Sequence, residues 1–178
     1  MHDPTLSTAQ HRELIEALAL SHVLPHDTLP IEECLGRRLA VDISSLIPLP
    51  PFTNSAMDGF AVRRQDLEGE GPWTLPVAGD IPAGDTRENH LERGQAWRIM
   101  TGAPIPEGAD TVVKVEDTDH AAGIAQAPKT VEIRIAPKLG ANVRVAGEAL
   151  AAGSPVLEAG RILDGTALSA AASVGHGT

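Results

Sequence analysis

The sequence predicts an α+β fold in which a β-rich module, residues 48–138, is inserted into a helical and extended module formed by residues 1–47 and 139–178. Three observations lead there. Helical periodicity is confined to the two ends, the middle consists of short apolar runs separated by Gly, Pro and Asp, and the texture changes near residues 45 and 140.

The first helix is expected over residues 8–22. Ser7 and Gln10 have capping-box spacing, Leu14, Ile15, Leu18 and Val23 recur on one face, and Pro25 stops the run. A second short helix is expected over residues 30–35, since Pro30 suits a first turn and Gly36 a C-cap. Residues 37–43 then lead out in extended form. Pro48, Pro50 and Pro51 keep the chain extended and mark a module boundary. Beyond them, residues 73–78, 96–100, 111–115 and 131–135 read as strands of a β-rich unit. The last helix is expected over residues 168–174, capped by Thr166 or Asp164 and ended by Gly175. The sequence stops just after that cap, which suggests a truncated polypeptide whose next element is missing.

Composition narrows the function classes. A 178-residue chain that is 42% hydrophobic and 21% charged has the balance of a globular protein with one domain or two small ones. Aromatic residues make up only 2% and there is no Tyr, so the core must be built from Val, Ile, Leu and Ala. With a formal net charge of -10 and only the isolated pairs Arg37-Arg38 and Arg63-Arg64, nucleic acid and anionic membranes are poor partners, because phosphate contacts need cations and base stacking needs aromatics. Cys34 is the single cysteine, which excludes an internal disulfide and a cysteine-based zinc or iron–sulfur site. The apolar stretch over residues 14–20 is too short and too acidic to span a membrane and lacks the marks of a leader, so a cytoplasmic location is expected.

Three polar clusters fall on loops between apolar runs. Asn54-Ser55-Ala56-Met57-Asp58-Gly59 sets one carboxylate among small residues that let a ligand approach the backbone. Thr101-Gly102-Ala103-Pro104 follows a strand-like run and offers strand-end amides and a hydroxyl, groups suited to anions. Asn142-Val143-Arg144, with Gly147-Glu148, brings a guanidinium near a carboxylate. Taken singly, each also fits ordinary turn chemistry or a surface Arg144–Glu148 pair. Other polar residues read as structural: His22 and His26 have metal-ligand spacing but Pro25 between them, Cys34 suits a small core position, Asp80 and Asp85 suit turns, and Glu116-Asp117 a solvated turn.

In combination the clusters carry more. Pro51-Phe52-Thr53-Asn54-Ser55-Ala56-Met57-Asp58-Gly59-Phe60-Ala61-Val62 and Arg98-Ile99-Met100-Thr101-Gly102-Ala103-Pro104-Ile105-Pro106-Glu107-Gly108-Ala109-Asp110-Thr111-Val112-Val113 resemble the signature stretches of the MoeA and gephyrin E-domain family of molybdopterin molybdenumtransferases. Leu35-Gly36-Arg37-Arg38-Leu39-Ala40 and Gly140-Ala141-Asn142-Val143-Arg144 fit the same family in the same order.

The resemblance implies the N-terminal part of an enzyme that inserts molybdenum from molybdate into adenylylated molybdopterin and releases AMP, with Mg2+ as cofactor. It further implies a pterin-binding α/β domain and a small β-barrel domain beyond this stretch, and a homodimer whose substrate site lies between the β-rich module of one subunit and the pterin-binding domain of the other. Carried over by residue, Asp58 and Thr101 are the catalytic candidates, with Asp58 also the metal ligand. Asn54, Ser55, Gly102, Arg144 and Glu148 are the substrate-binding candidates, Arg144 as an anion contact. One departure stands out: where the family pattern has Asp after Gly-Glu, this chain has Ala149. Because gephyrin also clusters receptors, a non-catalytic scaffold module is the alternative reading.

Overall fold

The computed structural model describes residues 6–22, 25–121, 123 and 126–177 and shows an α+β protein dominated by short strands. Helix α1 (Thr8–Ser21) opens on a complete capping box: the Ser7 hydroxyl accepts from Gln10 N–H at 3.3 Å, and Gln10 Oε1 accepts from Ser7 N–H at 2.9 Å. No residue of α1 is buried, and Leu14, Ile15 and Leu18 are about half exposed or more. The capping signal thus makes a helix without giving its apolar stripe a partner among the described residues. Val23, expected on that stripe, lies outside them.

The second expected helix is shorter than its spacing suggests. It is a single 3-10 turn, Ile31–Glu33, because the chain must leave it at Gly36, whose φ of +78° suits only a residue without a side-chain penalty. Beyond it Arg38 bridges to Ile162, and β1 (Ile43–Ser44) pairs antiparallel with β9 (Pro155–Leu157). Helix α2 (Gly165–Ser173) follows, and of the two candidate caps it is Asp164 whose carboxylate accepts from Ala167 N–H at 2.7 Å. Leu157, Leu163, Ala167 and Ala171 form a small core there, covered by Ile31, Leu39 and Ile43. Cys34 packs against this cluster half-buried.

The central element is a five-stranded sheet in the order β6-β3-β5-β4-β7, made of β3 (Gly59–Val62), β4 (Trp73–Ile81), β5 (Ala96–Ile99), β6 (Thr111–Lys114) and β7 (Thr130–Ile133). All pairings are antiparallel except β4 with β5, which run parallel. Every residue of β3 is buried, since the sheet is covered on both faces. Phe60 and Val62 face a cluster with Leu67, Leu75, Val113, Val131 and Ile133; Ala61 faces another with Ile81, Ile99 and Val112. This is the aliphatic core that a composition without Tyr demands.

Two sequence expectations are corrected here. Asp80 is not a turn residue: β4 runs on through it to Ile81, and its carboxylate pairs with Arg98 at 3.3 Å. Arg144 and Glu148 do not pair, because Glu148 Oε2 instead accepts from Val145 N–H at 3.0 Å, closing its own turn, and no ion pair joins them among the described residues. Asp85 does sit in a turn, where the Arg87 side chain and backbone N–H hold its carboxyl well below the usual range. Glu116 and Asp117 lie in a 3-10 turn, with Asp117 paired to Lys114 at 3.5 Å. Among the described residues no helix is long and apolar enough to cross a membrane, and no group of three or more His, Cys, Asp or Glu is placed to hold a metal, His22 and His26 included.

Candidate functional site

The three polar clusters of the sequence meet at one end of the central sheet. β2 (Asn54–Ser55) pairs antiparallel with β8 (Val143–Arg144), with Asn54 opposite Arg144 and Ser55 opposite Val143. On its other edge β2 takes the loop after β5: Gly102 N–H donates to the Ser55 carbonyl at 2.8 Å, and Ser55 N–H to the Ala103 carbonyl at 3.0 Å. Both backbone groups of Ser55 are therefore used in joining one cluster to another. Gly102 has φ +81°, the left-handed conformation that lets the chain turn back onto β2 directly after Thr101.

Asn54 and Ser55 are buried, so their side chains serve this junction directly. Asn54 Nδ2 donates to the Phe52 carbonyl at 3.0 Å, and the Ser55 hydroxyl donates to the Met57 carbonyl at 2.6 Å. These are local side-chain-to-backbone bonds of the turn-forming kind. They fix the loop that carries Met57, Asp58 and Gly59.

Asp58 itself is exposed. Its Oδ1 accepts two hydrogen bonds from one residue, from the Thr101 hydroxyl and the Thr101 N–H, each at 2.7 Å. The hydroxyl bond first and then the backbone bond hold its carboxyl below the ordinary value; desolvation opposes them, and the charge of Arg98 adds the weakest contribution. A hydroxyl has one proton to give. Thr101 gives it to Asp58, so toward any other partner that oxygen is an acceptor.

If the hydroxyl is the main cause of this depression, Thr101→Val should raise the Asp58 carboxyl toward the ordinary value without reaching it, because the N–H bond survives. Carboxyl carbon chemical shifts followed against pH on the 178-residue chain measure this, and an unchanged titration would remove the hydroxyl as the cause.

Arg144 and Glu148 lie on the surface beside β2, and Ala149 is exposed next to them. Arg98 carried no site expectation although it begins the second signature stretch. It stands on β5, opposite Phe60 on one side and Asp80 on the other, only 8% exposed, and lines a narrow cleft together with Asp58 and Met100. The signal was there to find: a lone charged residue between Trp97 and Ile99 in an otherwise apolar strand.

The profile of the MoeA N-terminal region, domains I and II, matches residues 6–175. The chain belongs to the MoeA family. Among relatives, it is 42% identical over 151 residues to molybdopterin molybdenumtransferase 2 of Mycobacterium tuberculosis, covering 83% of this chain and 36% of that one. With the molybdopterin molybdenumtransferase of Synechococcus elongatus it shares 38% identity over 176 residues, covering 97% of this chain and 42% of that one. The crystal structure of a molybdopterin biosynthesis MoeA protein from Pyrococcus horikoshii superimposes with a TM-score of 0.81 at 29% identity, over 93% of this chain and 42% of that one. The chain thus spans well under half the length of these MoeA relatives.

Proposed function

We propose that this MoeA chain supplies one side of a molybdenumtransferase active site, at which molybdenum from molybdate is inserted into adenylylated molybdopterin and AMP is released. The observation that carries the reading is the Asp58–Thr101 contact, in which an exposed carboxylate is held ionised and oriented by two bonds to a single oxygen. No hydrogen bond engages Asp58 Oδ2 among the described residues, which leaves an acceptor for a hard cation or a substrate donor.

A single carboxylate suits Mg2+, which keeps several waters and is held by one or two carboxylates together with substrate phosphate oxygens. Asp58 is the residue that would hold it, and Mg2+ would supply positive charge against the phosphates of the adenylate. In this reading Thr101 acts by aiming Asp58, while Gly102 turns the chain and Asn54 and Ser55 position the loop from below. Arg144 and Glu148, exposed across β2, are set to meet the anion from the rim. Ala149 provides no carboxylate there, so Asp58 bears the cation with at most the help of Glu148.

The remaining parts of the proposal concern assembly. The two chain ends share the core around Leu157 and Leu163, which supports treating them as one module with residues 48–138 inserted. The pterin-binding contribution would come from the partner subunit of a homodimer of the longer protein. Grafting this chain in place of the corresponding N-terminal segment of the Synechococcus elongatus relative tests the function: the chimera is expected to release AMP from adenylylated molybdopterin in the presence of molybdate and Mg2+, and the 178-residue chain alone is not. AMP release by the isolated chain, or a folded but inactive chimera, would overturn the assignment.

A further inference from the structure

Arg98 occupies an unusual place for a charge. β5 is the middle strand of the sheet, and a guanidinium that is 8% exposed there has lost most of its hydration, a cost that needs compensation. Its register partner Asp80 provides one contact, Nη1 to Oδ2 at 3.3 Å. The other oxygen, Asp80 Oδ1, is buried without a hydrogen-bond partner. The contact between the two is therefore single, not the two-pronged fork by which arginine and carboxylate bind most strongly.

What Arg98 reaches, with Asp80 behind it on β4, is the cleft that Arg98 lines. Asp58, Arg98 and Met100 share that cleft with the apolar surfaces of Phe60 and Val115. A carboxylate and a guanidinium with apolar walls between them discriminate by charge. A free divalent cation is drawn by Asp58 and repelled by Arg98, whereas a cation carrying a phosphate presents each of them with its complement.

We propose that Arg98, tempered by Asp80, makes the Asp58 cleft select a divalent cation that arrives paired with a phosphate over the same cation free in solution. The inference rests on the reading of Asp58 as the cation-holding carboxylate. It assigns Arg98 and Asp80 as residues that set specificity, acting by charge from the sheet.

Charge selection has a signature that a structural role lacks, because the two substitutions move it in opposite directions. Manganese(II) serves as the probe, its affinity for the 178-residue chain measured by water-proton relaxation, alone and with AMP present. Arg98→Gln is expected to tighten free manganese and weaken the manganese–AMP complex, each by about three- to tenfold, as loss of one nearby charge at an intermediate dielectric predicts. Asp80→Asn should do the reverse, and Arg98→Lys should keep the wild-type ratio.

Circular dichroism checks that each variant is folded; should Arg98→Gln fail to fold, Asp80→Asn and Arg98→Lys still decide. If Arg98→Gln and Asp80→Asn weaken both forms alike, or leave the ratio unchanged, the pair is structural and the proposal falls. If Asp58→Asn binds manganese as the wild type does, or the wild type does not bind it, the reading of Asp58 falls first and this proposal with it.

Discussion

Asp58→Asn, introduced into the Synechococcus chimera, is expected to lower AMP release by about two orders of magnitude or more while leaving the protein folded. An amide keeps the shape of the carboxylate, and its oxygen still accepts the Thr101 N–H and hydroxyl, so the loop stays in place. It has no charge with which to hold a hard cation. Because Asp58 is exposed, its ionised hydrogen bonds are screened by solvent, and the stability cost should be about 1 kcal/mol or less.

The sign of any pH effect follows from the direction of the shift. A carboxyl held below its ordinary value stabilises the fold above the unfolded-state pKa and loses that contribution as pH falls through the folded-state value. The small difference in Tm between wild type and Asp58→Asn should therefore be present near neutrality and vanish in strong acid. Full AMP release per folded molecule of the variant would remove Asp58 from the site.

Gly59→Ala, one residue on, is expected to do the opposite: to damage the fold first and function only as a consequence. A Cβ on Gly59 would stand 1.9 Å from the Val113 carbonyl oxygen and 2.9 Å from its carbon. Both are backbone atoms of β6, the strand to which Gly59 is paired across from Lys114, so no side-chain rotation relieves the clash. The strands must separate at the sheet end where Asp58 leaves β3, and Val115 N–H, which donates to the Asp58 carbonyl at 3.0 Å, moves with them. Overpacking against rigid backbone of this kind costs about 3 kcal/mol or more, which for a chain of this size lowers Tm by roughly 10 °C.

Gly102→Ala is the internal control. It adds a methyl into open space and costs only the left-handed backbone penalty of about 1–2 kcal/mol. A Gly59→Ala variant that melts with or above Gly102→Ala would show that the two strands are free to part.

Gly59 illustrates how far a sequence reading reaches. From the sequence, Gly59 reads as one of the small residues around Asp58 that let a ligand approach the backbone; in the fold its stronger role is to let β6 approach, which no local pattern announces. Asp80 is similar. Between Gly79 and Pro82 it has the context of a turn, but pairing with β5 carries the strand through it and its carboxylate meets an arginine 18 residues away in the chain. The apolar stripe of α1 shows the converse, a legible local pattern whose tertiary partner is absent among the described residues.

Local chemistry is what the sequence by itself determined. The capping box of α1, a cap for α2 narrowed to Thr166 or Asp164, the left-handed glycines and the apolar runs that became β4 to β7 all depend on residues within a few positions of one another, and so did the signature stretches that pointed to the MoeA family. Only the tertiary structure decided that Thr101 would spend its hydroxyl on Asp58, 43 residues earlier, that Asn54 and Ser55 would be buried beneath them, and that Arg98 would share their cleft. The physical reason is that these contacts follow from strand order and register, which are set by how a sheet buries both faces at once and not by any short stretch of the chain.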